Sequence, residues 1–181
     1  MIDDDFLSKV VDWANGRSDI VSLIMTGSRA RPDGVVDAHS DYDLEIFTTD
    51  PERYTSSSDW MTEIGDVWVF LATESSRGCP TRLVIFEDSR KVDFSILSFG
   101  ALAEAVQAKQ LDELYEQGYR VLIDKDGLTA RLPPPSYSPP ARRPPTETEF
   151  RATVEEFWFE AWHIPKYLQR GNLWVVKISR S

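Results

Sequence analysis

The stretch Leu132–Pro145, LPPPSYSPPARRPP, holds seven of the chain's eleven prolines. Proline fixes φ and has no backbone donor, so this stretch is excluded from helix interiors and central strands and reads as an extended, semi-rigid linker. It divides the 181 residues into a body of 1–131, a linker of 132–146 and a helical segment of 147–181. A body of that size supports one solid hydrophobic core.

Within the body, hydrophobic spacing sets the order of elements. Phe6, Val10, Val11 and Trp13 recur at helical spacing over Asp3–Ala14, with aspartates at the end where the helix dipole favours negative charge. Ile20–Thr26, IVSLIMT, is a near-continuous apolar run, as expected of a strand buried on both faces. Further strands are predicted at Tyr42–Thr49, Val67–Thr73, Thr81–Glu87 and Lys91–Leu97, with a short one in YRVLID. The turn DSR at Asp88–Arg90 makes Thr81–Glu87 and Lys91–Leu97 an antiparallel hairpin. Asp50 and Pro51 start a short helix, Ser58–Ile64 is a second helical piece, and Phe99–Gln117 reads as one helix. The pattern predicts an α/β (α+β) fold, a mixed sheet flanked by helices. After the linker, Thr146 and Glu149 form a capping-box pattern opening a helix rich in aromatic residues, from Phe150 to Asn172. Pro165 should kink that helix, and its apolar face should pack on the body or on further helices.

Composition narrows the partners. The net charge of −10 argues against nucleic acid or anionic lipid, which need their phosphates neutralised, and suits a cationic ligand. No apolar run approaches the ~20 residues of a membrane span, and the acidic start MIDDDFLSKVV lacks the order of a signal peptide. The single cysteine, Cys79, excludes an internal disulfide and reads as a loop thiol; a reducing cytoplasm is the expected setting.

Two carboxylates head the Tyr42–Thr49 strand. Residues of alternate parity share a face, so Asp41, Asp43, Glu45 and Phe47 point one way, with Asp41 and Asp43 about 6.6 Å apart along the backbone. Such a pair repels unless a cation sits between its members, and hard oxygen donors select Mg²⁺. Gly27-Ser28 follows a buried strand at the edge where α/β sheets bind ligands, and glycine lets a phosphate approach the backbone closely. Arg29 and Arg31 add positive charge there. Asp93 interrupts the apolar strand KVDFSIL on the face opposite Val92, Phe94 and Ile96, a costly place for a lone charge. If that strand adjoins the one bearing Asp41 and Asp43, the three acids form one cluster.

The segment GSRARPDGVVDAHSDYDLEIF resembles the nucleotidyltransferase motif, and VDFSIL resembles its third acidic strand. Within that superfamily, GSRA and DYD are most similar to the aminoglycoside 6-adenylyltransferases, which modify streptomycin. EFWFEAWHIPKYLQRGNLW is similar to the aromatic helix opening that family's C-terminal helical domain. The resemblance spans most of residues 1–177. It implies transfer of AMP from Mg-ATP to a hydroxyl of a streptomycin-like aminoglycoside, with release of pyrophosphate, as a resistance activity. It further implies two Mg²⁺ ions on Asp41 and Asp43, and Asp93 as third metal ligand or general base. Gly27, Ser28 and Arg29 fall at the nucleotide phosphates, with Lys166 reaching them from the helical segment. Trp158 and Trp162 read as core or interface, His163 as a packed or surface histidine, and Glu155, Glu156 and Glu160 as helix surface charge. Family members run on through a longer helical bundle, so the chain reads as truncated. The alternatives are a catalytically silent nucleotide-binding homologue, a site completed in an oligomer, or the same chemistry on another acceptor, of which tRNA is disfavoured by the acidity.

Overall fold

A computed structural model describes residues 5–32, 36–37, 40–138 and 143–172, and the chain divides into two compact units, Met1–Pro140 and Ala141–Ser181. In the first unit, helix α1 (Asp5–Asn15) buries Phe6, Leu7, Val10 and Ala14 along one face. It precedes strand β1 (Ile20–Thr26), buried at every position as its apolar run requires. Strand β2 (Tyr42–Thr48) and helix α2 (Pro51–Thr55) follow; the Asp50 side chain accepts the Arg53 amide, and Pro51 occupies the first turn. Strands β3 (Val67–Glu74), β4 (Pro80–Phe86) and β5 (Lys91–Ser98) lead to helices α3 (Phe99–Ala108) and α4 (Glu113–Glu116), and β6 (Arg120–Asp124) completes the sheet.

The six strands lie in the order β3-β4-β5-β2-β1-β6. Every neighbouring pair is antiparallel except β2 and β5, which run parallel in unbroken register from Tyr42↔Val92 to Thr48↔Ser98. This mixed sheet carries a core on each face. On one face Leu23, Leu44, Ile46, Val84, Phe94 and Ile96 meet α1, α2 and the short 3₁₀ turn Asp59–Glu63. There Trp60 stacks on Trp13 at 5.1 Å, meets Phe94 edge-on at 5.1 Å, and donates its indole N–H to the Tyr54 carbonyl. On the other face Ile24, Phe47 and Leu97 pack under α3 and α4 with Leu102, Val106 and Tyr115.

One detail departs from the expected elements. The span Phe99–Gln117 is broken by Lys109, whose left-handed φ of 52° ends α3, and Asp112 then caps α4 through the Tyr115 amide. The helical piece expected at Ser58–Ile64 is present as a 3₁₀ helix, Asp59–Glu63. The expected Asp3 start of α1 falls outside the described residues, which place α1 from Asp5. The proline-rich stretch has no regular structure where described, and its start lies on the body: Leu132 is buried and Tyr119 Oη donates to the Pro133 carbonyl. Edge strand β3 exposes Trp68, Val69, Phe70 and Leu71. No helix among the described residues is long and apolar enough to cross a membrane.

The second unit contains helix α5 (Glu147–Gln169), which runs through Pro165 as one element. None of its residues is buried, and Phe157, Trp158, Phe159 and Trp162 are each more than 60% exposed. Its start is a complete capping box: Thr146 accepts the Glu149 amide while Glu149 accepts the Thr146 amide at 2.8 Å. Arg143 adds a two-pronged pair to the same carboxylate, at 2.8 and 2.5 Å. Arg143 first, and then the Thr146 amide and hydroxyl, hold the Glu149 carboxyl down at about 2, from an ordinary 4.5. A depressed carboxyl contributes stability that is present above its unfolded pKa and lost as pH falls through the folded one. The first turn of α5 should therefore fray as pH drops from about 4.5 toward 2, followed as NMR amide shifts of residues 147–151. Glu149→Gln should remove that step, and an unchanged acid profile in the variant would refute the capping role.

Candidate active site

The site is built where three strands meet. Antiparallel pairing sets Thr26, the last residue of β1, opposite Asp43 of β2, and parallel pairing sets Asp43 beside Asp93 of β5. The turn after β1 is thereby held against the two aspartates. Gly27 has φ 69° and ψ −157°, a conformation essentially confined to glycine, and a Cβ there would lie 1.9 Å from Asp43 Oδ2. The turn continues as a 3₁₀ segment, Ser28–Ala30. Arg29 spans it: Nε donates to the Ser40 and Asp41 carbonyls, Nη2 to the Ser40 carbonyl, and the guanidinium lies 3.9 Å from the Tyr42 ring. These contacts fix the entry to β2 and hence the direction of Asp41 and Asp43.

Asp41 lies just before β2, and Asp43 and Glu45 follow on the same face by strand alternation. On β5 the same face carries Lys91, Asp93 and Ser95, since Val92, Phe94 and Ile96 belong to the opposite core. Asp41, Asp43 and Asp93 therefore share one face, and Lys91 lies among them. Its Nζ donates to Asp41 Oδ2 at 2.5 Å and to Asp93 Oδ2 at 3.3 Å, and sits 3.1 Å from Asp93 Oδ1. The last contact is an attraction outside hydrogen-bond geometry, leaving Oδ1 buried without a hydrogen bond. Burial works against the Lys91 charge, but the bonds to Asp41 and Asp93 outweigh it and hold the ammonium pKa above its ordinary value. Burial first, then the charges of Asp93 and Asp41, push the Asp43 carboxyl up, against the pull of Lys91 and Arg31.

A second charged group lies deeper on the same face. Glu45 is 3% exposed and accepts from Tyr115 Oη at 2.6 Å and Arg77 Nη1 at 2.5 Å, while Arg77 Nη2 reaches Asp112 Oδ2 at 2.8 Å. Burial raises the Glu45 pKa, and Arg77 and Tyr115 pull it back without cancelling the rise. Arg77, on the β3–β4 turn, and α4 are thus tied to the strand that carries Asp41 and Asp43. Strand alternation alone marks both Glu45 and Lys91 as neighbours of the aspartates; nothing in the sequence marks Arg77 and Tyr115. Cys79 is a half-buried free thiol in the β3–β4 turn. Lys166 belongs to the second unit, where its ammonium lies 5.3 Å from the Tyr167 ring, and His163 packs between Phe159 and Tyr167.

The donors suit a hard divalent cation: three carboxylates, no soft ligand, and an Asp93 oxygen still without a hydrogen bond. As arranged here, with the Lys91 ammonium among them, no group of three or more Asp, Glu, His or Cys side chains among the described residues is gathered closely enough to hold a metal ion.

A Gly-Ser turn, an Asp-x-Asp strand and a third aspartate in register beside it, on a mixed sheet, define a nucleotidyltransferase-type body. The chain belongs to the streptomycin adenylyltransferase family, whose profile matches residues 2–180. It is 25% identical over 179 residues to the aminoglycoside 6-adenylyltransferase of Staphylococcus aureus, covering 93% of this chain and 60% of the relative. It is 25% identical over 170 residues to the Campylobacter jejuni protein of the same name, covering 91% and 57%. A crystal structure of an aminoglycoside 6-adenyltransferase from Bacillus subtilis matches 96% of this chain and 59% of that one, at 18% identity and a TM-score of 0.48. The chain spans about 60% of the length of the curated relatives it matches.

Two substitutions probe this geometry. Gly27→Ala should cost about 1–3 kcal/mol in denaturant unfolding from its backbone conformation alone, and should displace Asp43; stability equal to wild type would mean the turn is not so constrained. Asp43→Asn should raise Tm at pH 7 by about 2–4 °C. A carboxyl whose folded pKa is raised favours the fold while protonated, and loses that benefit as pH rises through the folded value. The stabilisation by asparagine should therefore vanish below about pH 4, where the aspartate is protonated in both states. A variant less stable than wild type at pH 7 would contradict the repulsion.

Proposed function

We propose that the protein transfers AMP from Mg-ATP to a hydroxyl of an aminoglycoside and releases pyrophosphate. The observation that carries this reading is the adjacency of Asp43 and Asp93 in the parallel β2–β5 register, with the Gly27 turn pressed against Asp43. Membership of the family and the names of the relatives supply the acceptor class. The acidity of the chain suits a polycationic acceptor.

In this reading each residue has a defined task. Gly27 leaves backbone N–H groups open to the β- and γ-phosphates and Ser28 adds a hydroxyl donor. Arg29 holds the turn and the first residues of β2 in place through the Ser40 and Asp41 carbonyls. Asp41 and Asp43, with Asp93 beside them, are the residues that would hold divalent cations, whose charge would offset that gathering at the α-phosphorus. Asp93 accepts the proton of the attacking hydroxyl through its carboxylate. The hydroxyl oxygen then forms a bond to the α-phosphorus, the bond to the bridging oxygen of the β-phosphate breaks, and pyrophosphate departs.

The direct test is pyrophosphate release from Mg-ATP in the presence of streptomycin. Wild type should turn over, and Asp43→Asn should lose more than about 100-fold, beyond the usual effect of disturbing a group that only orients a ligand. Mg-ATP binding without turnover in the wild-type chain would overturn the enzymatic reading in favour of a silent nucleotide-binding homologue.

A further inference from the structure

The proposed metal-holding acids already hold a cation of their own. Lys91 opens β5, and strand alternation places it on the same face as Asp93, two residues on. Its ammonium contacts Asp41 at 2.5 Å and Asp93 at 3.1 Å, spanning β2 and β5. A fixed positive charge at that point does two things. It neutralises part of the repulsion among three carboxylates, which otherwise face one another across two strands. It also occupies oxygens a divalent ion would need, and among the described residues no tight group of three acidic ligands is formed.

The side chain is built to leave. Lys91, Asp41 and Asp93 have side chains 36%, 38% and 26% exposed, so the ammonium is at the edge of the cluster with solvent beside it. Lysine is a point charge on a flexible four-carbon stem, unlike the planar fork of arginine, and gives up its partners without moving the backbone. Its strand is locked on both sides, Lys91↔Ile85 on β4 and Val92↔Tyr42 on β2, so displacement would be a matter of side-chain rotation alone. Once displaced by a divalent ion, the same stem leaves the ammonium beside the cluster, where the negative charge of a triphosphate would hold it.

We infer that Lys91 is a resident counter-cation that competes with the divalent metal for Asp41 and Asp93, so that metal alone binds weakly and the site loads fully only together with a nucleotide. This rests on the reading of Asp41, Asp43 and Asp93 as the metal-holding acids, and assigns to Lys91 a positioning role within it.

The test uses Mn²⁺ as the probe, with free ion counted by electron paramagnetic resonance on the full chain without nucleotide. Lys91→Gln and Lys91→Met should each bind Mn²⁺ at least about tenfold more tightly than wild type, because a charge a few ångströms from the ion has been removed. Lys91→Arg, which keeps the charge, should stay as weak as wild type. A non-hydrolysable ATP analogue should tighten Mn²⁺ binding in wild type and do so much less in Lys91→Gln. If Lys91→Gln melts lower than wild type but binds Mn²⁺ no more tightly, the lysine is only a structural ion-pair partner and the inference is overturned. The double variant Lys91→Gln/Asp43→Asn separates this from the underlying reading. Tight Mn²⁺ binding that survives in it would remove Asp43 from the metal site, whatever Lys91 does.

Discussion

The parallel pairing of β2 with β5 is the constraint on which the site depends. Every other neighbouring pair in the sheet is antiparallel. This one ladder joins the β1–β2 pair to the β3-β4-β5 meander and puts Asp43 level with Asp93. A shift of one residue would turn Asp93 into the core beside Trp60 and bring Val92 or Phe94 to the site face, since side chains alternate with a period of two. The register resists that slip because Val92, Phe94 and Ile96 are each 2% exposed or less on the far side. Burial on one face thus specifies the chemistry on the other.

Charge on the site face is graded by depth. At the solvent edge, Asp41 and Asp93 share the ammonium of Lys91. Asp43, beside them, has its carboxyl pushed up by burial and by its two neighbours. A further step along β2, Glu45 is closed over entirely and held by Arg77 and Tyr115. A buried carboxylate is tolerated only with strong donors around it, and these donors come from the β3–β4 turn and from α4. The outer acids share a solvent-edge lysine and the inner one is held by a buried tyrosine and an arginine, a division that suits a binding rim supported by a rigid base.

Much of this was legible in the chain itself. Spacing alone located six strands, placed Asp41 and Asp43 on one face, set Asp93 opposite the packing residues of its strand, and marked the capping box at Thr146 and Glu149. The junction between α3 and α4 was not legible, because Lys109 carries no sign that its backbone turns left-handed there. Lys91 was within reach of the same alternation rule that found Asp93, and was passed over because a strand-end lysine ordinarily points to water. Arg77 and Tyr115 lie 32 and 70 residues from Glu45, so no local pattern connects them. The aromatic residues of α5 are exposed along the helix: a periodic apolar face specifies that a helix seeks a partner, not where that partner lies.

The amino-acid sequence determined which segments are strands, which side chains share a face, and where a glycine had to stand, because these follow from the local geometry of the backbone and reach only a few residues. The tertiary structure decided which strands are neighbours and in what register, and so which charges meet. That choice is made by the fit of two cores on opposite sides of the sheet, an interaction summed over residues far apart in the chain. The ammonium of Lys91 between two aspartates on different strands is its product.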